Sequence, residues 1–183
     1  MMLKQLGFTL LEVLVVLVVI AILYSVSVPS LETLQQKFYV KQELAHMQLL
    51  LASSRQHAIM HKKRVRACPL NNSQSCSNDW NQEITLFEDL NNNNKLDPSE
   101  NIIHQFNKVS SNKGLRAFSN TGYISFNAQG FSGYAVGSFS YCHKGKQNQG
   151  GVFVISRTGR ARFIVSQQGN FPKLANGNPI PCL

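Results

Sequence analysis

The chain has 183 residues, a length that fits one ordinary domain with an appendage. It carries 18 Lys and Arg against 9 Asp and Glu, which gives a net charge of +9. Residues 101–183 contain nine basic residues and no acidic residue. An ordinary solvated surface mixes charges of both signs, so this part of the chain indicates a polyanionic partner. The alternative is that the charge only keeps the protein soluble.

The first element is an apolar run, residues 13–31, of 19 consecutive residues without a formal charge. A helix of about 20 predominantly apolar residues can span a bilayer. The run is longer than the core of a cleaved secretory signal and has no Ala-x-Ala end, so we do not expect the whole segment to be removed. Glu12, at its start, is a costly residue in hydrocarbon and therefore needs a partner.

The helix continues beyond this run and then gives way to strands. Apolar residues at three- and four-residue steps predict an amphipathic helix over 31–62: Leu31, Leu34, Phe38, Leu44, Met47, Leu51 and Ala58. From residue 63 the period is two, and turns rich in Asn, Gly and Ser separate the strand candidates RVRAC, EITLF, IIHQF, YISFNA, YAVGSFSYC, GVFVIS and RFIV. The predicted fold class is α+β, with the helix covering antiparallel sheets in a β-rich domain over 63–183.

All four cysteines follow the apolar run, which favours an oxidising compartment and two disulfides. Three pairings are possible. We favour Cys68 with Cys76, closing a short Asn- and Ser-rich loop, and Cys142 with Cys182. Zinc is the alternative, but the chain has no Cys-x-x-Cys pair.

Two other groups of residues resemble metal ligands. The segment DLNNNNKLDPSE, residues 89–100, places oxygen side chains at positions 1, 3, 5, 9 and 12 of an EF-hand-like loop, although Asn94 replaces the usual glycine. An acidic hairpin loop without metal is the alternative. His57 and His61 lie one helical turn apart, but no nearby acid or third ligand is evident, so we expect exposed histidines and no metal site.

The sequence shows no catalytic motif. It has no Gly-rich phosphate loop, no Gly-x-Ser-x-Gly motif and no paired carboxylates on an ordered element. A nucleophilic role for Cys68 is less economical than a disulfide. We therefore expect no enzyme and no cofactor.

The N-terminal stretch KQLGFTLLEVLVVLVVIAILYSVSVP resembles that of type IV pilins and type II secretion pseudopilins. The resemblance implies a leader peptide, 1–7, that a prepilin peptidase removes between Gly7 and Phe8, with N-methylation of Phe8. It implies a transmembrane and assembly helix, 8–30, and a periplasmic head, 31–183. It also implies that Glu12 neutralises the amine of Phe8 on a neighbouring subunit.

Later segments look like the GspH/FimT branch of minor pilins and pseudopilins: VRACPL, ITLFEDLNNNNKLDPSE, ISFNAQGFS, FSYC and VISRTGRARF. Secretion-system members of this branch are structural components of a pseudopilus. Some FimT-like members bind DNA during natural transformation through a Gly-Arg-x-Arg motif, which this chain matches at Gly159, Arg160 and Arg162.

The side chains of this motif are chemically suited to binding phosphate. The segment GVFVISRTGRARFIV predicts a hairpin that turns at residues 157–159, where Gly159 supplies a positive φ. Arg160 and Arg162 then share one face beside Arg157, while residues 161, 163 and 165 face the core. Guanidinium groups suit phosphate oxygens. Weaker candidates to extend the patch are Lys108, Lys113, Arg116, Lys144, Lys146 and Lys173.

The sequence thus predicts a minor type IV pilin, single-pass in a bacterial inner membrane and then part of a surface pilus. Its predicted function is to bind extracellular double-stranded DNA, without strong sequence preference, for uptake in natural transformation. The alternative is a structural minor pilin or secretion pseudopilin that helps initiate or cap the fibre. The expected partners are DNA, other pilins, the prepilin peptidase and the inner membrane.

Overall fold

The computed structural model describes residues 9–109, 114–119, 122–143 and 146–165, without the side chains of 26–30, 32, 33, 146–149 and 165. One long helix precedes eight strands, which confirms the predicted α+β class. The elements are α1 (Leu10–His61), β1 (Val65–Pro69), β2 (Ile84–Glu88), β3 (Ile102–Phe106), β4 (Gly114–Phe118), β5 (Ile124–Phe126), β6 (Gly137–His143), β7 (Lys146–Ile155) and β8 (Ala161–Val165).

The chain divides into two compact units, residues 1–38 and 39–183. In the first unit Thr9 caps α1, because its Oγ1 accepts the N–H of Glu12 at 3.3 Å, and the Glu12 carboxylate lies in the first helical turn. No helix within the described residues combines the length and the apolar character needed to cross a bilayer. The predicted span, 8–30, includes Phe8 and the side chains of 26–30, which lie outside the described part.

In the second unit, α1 buries one stripe of side chains at three- and four-residue steps. Four members of the predicted stripe are in the core, namely Leu44, Met47, Leu51 and Ala58. The three earlier members belong to the first unit and are exposed: Leu31, Leu34 and Phe38.

The strands form two four-stranded antiparallel sheets, in the orders β3-β2-β1-β5 and β4-β6-β7-β8. Alternate residues of both sheets join the helix stripe in one apolar core, for example Val65 and Leu86 from the first sheet and Phe153 from the second. Trp80 is buried among them, with its ring centroid 5.1 Å from that of Phe139. The predicted arrangement of a helix over antiparallel sheets is therefore present.

Strand β4 was not among the predicted strands, and its central residue explains why. Arg116 is only 6 % exposed, and its Nε and Nη2 donate to one carboxylate oxygen of Glu43 at 3.2 and 2.7 Å. A charged residue in a buried position hides the alternation by which a strand is recognised. The prediction that Arg116 extends a basic surface is wrong, because its guanidinium is bound inside the protein.

The structure contains the predicted disulfide between Cys68 and Cys76, which closes a short loop after β1. Cys142, on β6, is also disulfide-bonded. Its predicted partner, Cys182, lies outside the described residues.

Candidate nucleic-acid interface

The predicted arginine hairpin is present as β7 and β8, and hydrogen bonds fix the turn that joins them. The N–H of Ser156 donates to the carbonyl of Arg160 at 3.0 Å, and the N–H of Gly159 donates to the carbonyl of Ser156 at 2.9 Å. Gly159 has φ +75°, a conformation that favours glycine. The hydroxyl of Ser156 accepts the N–H of Arg160 at 3.2 Å. The turn is therefore closed by hydrogen bonds from both its backbone and the hydroxyl of Ser156.

This turn packs against the loop formed by residues 127–135. The N–H groups of Ser132 and Gly133 donate to the carbonyl of Arg157 at 3.1 and 3.3 Å. A Cβ on Gly159 would lie 2.0 Å from the carbonyl oxygen of Gly130, so only glycine allows this approach. The loop holds the arginine turn in place.

The three arginines of the hairpin, Arg157, Arg160 and Arg162, are all exposed. Arg162 pairs with Val154 across the ladder, while the next residue, Phe163, stacks on Phe153 of the core with ring centroids 4.5 Å apart. By strand alternation Arg160 and Arg162 lie on the sheet face opposite Phe163. Within the described ranges, none of the three arginines forms an ion pair with a carboxylate.

Two further residues lie at the turn, and no local pattern in the sequence predicts either of them. Arg55, on α1, donates from Nε to the carbonyl of Gly130 at 3.0 Å. The same Nε lies 3.2 Å from the position that a Cβ of Gly159 would occupy. Tyr134 is 86 % exposed, and its ring centroid is 6.0 Å from Cζ of Arg157. The interface therefore combines a fourth guanidinium and an aromatic ring with the hairpin arginines.

The predicted lysines do not gather at this turn. Lys108 is exposed and follows β3, an edge strand of the first sheet, whereas the arginine turn joins β7 and β8 of the second sheet. Lys146 begins β7, and its backbone is about 30 Å along the strand from Ile155, next to the turn. The side chain of Lys146 lies outside the described part, as do all of residues Lys113, Lys144 and Lys173.

The processing residues predicted at the N-terminus, Gly7 and Phe8, also lie outside the described part of the chain. Glu12 is described and exposed at the start of α1.

The acidic loop between β2 and β3 uses its carboxylates internally. Asp89 is buried, accepts a hydrogen bond from Nε of Arg66 at 2.5 Å and accepts the N–H of Asn93 at 3.2 Å. Glu100 accepts the N–H of Leu90 at 2.7 Å. The described residues contain no cluster of three or more His, Cys, Asp or Glu side chains placed to hold a metal ion. The carboxylates at the first and last positions of the EF-hand-like spacing therefore already bind donors within the protein.

The expectation of exposed histidines without a nearby acid is wrong for His57. Its Nε2 lies 3.0 Å from Oε1 of Glu88, and its ring stacks on that of His61 with centroids 4.1 Å apart. Burial would raise the pKa of Glu88, but hydrogen bonds from His57, Lys63 and Asn101, together with the charge of Lys63, lower it to about 2. The sequence concealed this cluster because Glu88 lies 31 residues after His57.

Comparison with known proteins gives two family matches. The model described as type II transport protein GspH matches residues 43–169, and the prokaryotic N-terminal methylation motif matches residues 2–25. The sequence has no significant match among curated proteins.

Two crystal structures of the type IV minor pilin FimU from Pseudomonas aeruginosa strain PAO1 are similar to this chain. The form in space group P21 has a TM-score of 0.54 at 17 % identity and covers 70 % of this chain and 90 % of FimU. The form in space group P65 has a TM-score of 0.49 at 19 % identity, with coverage of 70 % and 92 %. The P21 form confirms the pilin-like fold, a long N-terminal helix with antiparallel sheets.

Proposed function

The chain belongs to the GspH family of pseudopilins and minor pilins, and within this family we propose that it is a minor type IV pilin that binds extracellular double-stranded DNA for natural transformation. The family consists of structural, non-enzymatic proteins. Membership implies other pilins as partners and processing by a prepilin peptidase. The methylation motif implies insertion into the inner membrane and later incorporation into a pilus.

The proposal assigns a role to each part of the N-terminus. Residues 1–7 form the leader, cleavage falls between Gly7 and Phe8, and Phe8 becomes N-methylated. Residues 8–30 form the single membrane pass and assembly helix, and residues 31–183 form the periplasmic head. Glu12 neutralises the amine of Phe8 on a neighbouring subunit, since a carboxylate in an apolar environment needs a positive partner.

One observation carries the DNA-binding proposal. Arg157, Arg160 and Arg162 are exposed on one hairpin, at its turn and at the start of β8, without carboxylate partners among the described residues. Each guanidinium can donate two parallel hydrogen bonds to phosphate oxygens. Contacts to phosphates position DNA without reading its sequence, which suits a protein that accepts any incoming DNA.

The experiment measures DNA binding by the full chain in detergent micelles, using the fluorescence anisotropy of a labelled 20-base-pair duplex. The Arg160→Gln/Arg162→Gln variant removes two of the proposed phosphate contacts and should bind at least about tenfold more weakly. The matched control, Lys41→Gln/Lys108→Gln, removes the same charge from exposed positions away from the turn and should bind like the wild type. Equal affinity in all three proteins would remove the assignment.

A purely structural role is the second candidate, favoured by the description of the family as type II transport proteins. Such a subunit would help initiate or cap a fibre, and its arginines would contact neighbouring subunits. Under this alternative, the Arg160→Gln/Arg162→Gln variant would impair fibre assembly in cells while DNA binding stayed absent or unchanged.

A further inference from the structure

A pocket of about 340 Å³ opens beside the arginine turn. The loop 127–135 forms one wall, and the N–H groups of Ser132 and Gly133 in that wall hold the carbonyl of Arg157. A volume of a few hundred Å³ is typical of sites for small organic groups. DNA bound at the turn would therefore lie beside this pocket.

The pocket has three aromatic side chains along its walls: Tyr123, Phe131 and Tyr134. Tyr134 and Phe131 are 86 % and 48 % exposed, which is unusual for rings of this size in a folded head. Nucleobases stack on exposed aromatic rings irrespective of sequence. The walls therefore suit a flat aromatic ligand.

Arg66 also lines the pocket and keeps one donor without a partner among the described residues. Arg66 is 1 % exposed, stacks 4.0 Å from the ring of Tyr123, and donates to Asp89 and to Oδ1 of Asn92. Its Nη1 is buried and has no hydrogen-bond partner within the described part of the chain. A buried donor without an acceptor is energetically unfavourable.

The charge along the pocket suits an oxygen acceptor. Asp89 neutralises the guanidinium of Arg66, whereas Arg64, which also lines the pocket, forms no ion pair with a carboxylate among the described residues. A base carbonyl is an oxygen acceptor on a flat ring. Further positive charge lies on the turn that carries Arg157 and Arg160.

We propose that the pocket receives an unpaired nucleobase of a DNA strand whose phosphates lie on Arg157 and Arg160. The inference rests on the proposed function, since it requires DNA at the arginine turn. Bases inside a duplex are paired and stacked, so the ligand is a single strand, an overhang or a frayed end. Tyr134, beside Arg157, provides the stacking ring at the mouth.

The test compares two probes, a 20-nucleotide thymidine strand and a blunt 20-base-pair duplex, on the full chain in detergent at one salt concentration. Tyr134→Ala should weaken binding of the single strand roughly 5- to 150-fold, from about 1–3 kcal/mol per stacked base, and should weaken binding of the blunt duplex far less, because duplex bases are already stacked on one another. Tyr134→Phe keeps the ring and should bind both probes like the wild type. Because Tyr134 is exposed, neither substitution should unfold the head, and the fluorescence of Trp80 checks this.

A second readout locates the base directly. Photo-crosslinking from a single 5-iodouracil in the strand should modify Tyr134 or Tyr123, and mass spectrometry identifies the peptide. If Tyr134→Ala binds the single strand as tightly as the wild type does, the inference is overturned. Binding of the blunt duplex by the wild type would still support the proposed function. If Tyr134→Ala loses fibre assembly while its single-strand binding is unchanged, the inference is also overturned. The pocket would then be occupied by a neighbouring pilin. Failure of the wild type to bind either probe removes both proposals.

Discussion

Replacing Gly159 by alanine tests whether the loop 127–135 holds the arginine turn. Alanine at φ +75° costs about 1–2 kcal/mol, because its Cβ crowds the backbone in the left-handed region. The same Cβ would lie 2.0 Å from the carbonyl oxygen of Gly130, and relieving such a contact by shifting the backbone costs about 1–3 kcal/mol more. We therefore expect Gly159→Ala to lower the free energy of unfolding by about 2–5 kcal/mol. The displaced turn should also bind DNA more weakly.

The assay is urea unfolding of the full chain in detergent, followed by the fluorescence of Trp80, the single tryptophan, which is buried in the core of the head. Gly133→Ala is the matched control. Gly133 also has a positive φ, +58°, but nothing lies within 4 Å of the position of its Cβ. Gly133→Ala should therefore cost only about 1–2 kcal/mol and leave the turn in place. Equal losses in the two variants would refute the contact between the turn and the loop.

Two further predictions concern buried carboxylates of the head. Lowering the pH from 5 to 2 should reduce the free energy of unfolding by about 3 kcal/mol through Glu88. The pKa of Glu88 is about 2 in the folded chain and 4.5 in the unfolded chain. Its contribution to stability is therefore present above pH 4.5 and is lost as the pH falls toward 2. The Glu88→Gln variant should lack this pH-dependent loss of stability, and Glu83→Gln, at an exposed residue, should keep it. If urea unfolding shows the same dependence of stability on pH in the wild type and both variants, the hydrogen bonds described for Glu88 are contradicted. Asp89→Asn leaves the guanidinium of Arg66 buried without a counter-charge and should cost about 3–5 kcal/mol in the same assay, whereas a loss below about 1 kcal/mol would contradict a buried pair.

Local patterns in the sequence predict much of the fold. The end of α1 at His61 follows from the change of period there, and IIHQF is predicted at the bounds that β3 has in the structure. Strand β7 begins at Lys146, earlier than the predicted GVFVIS. The prediction missed this start because the first four residues, KQNQ, are polar and show no alternation of apolar and polar residues. Strand β4 is hidden by Arg116, whose burial depends on Glu43, 73 residues earlier in the chain.

The candidate site divides in the same way. Arg157, Arg160 and Arg162 are close in sequence, so a hairpin alone brings them together. Arg55 and Tyr134 reach the turn only because the loop 127–135 packs on it. Such packing between distant segments cannot be predicted from the periodicity of the sequence. No local pattern in the sequence predicts that Arg66 is buried, because its partner Asp89 lies 23 residues later in the chain.

The salt dependence of duplex binding by the full chain tests the central claim most directly. If Arg55, Arg157, Arg160 and Arg162 each neutralise one phosphate, the logarithm of the association constant should fall with the logarithm of salt concentration at a slope of about −3.6. The Arg160→Gln/Arg162→Gln variant should reduce the slope to about −1.8, while the Lys41→Gln/Lys108→Gln control keeps the wild-type slope. A wild-type slope near zero, or the same slope in the arginine variant, would contradict the account.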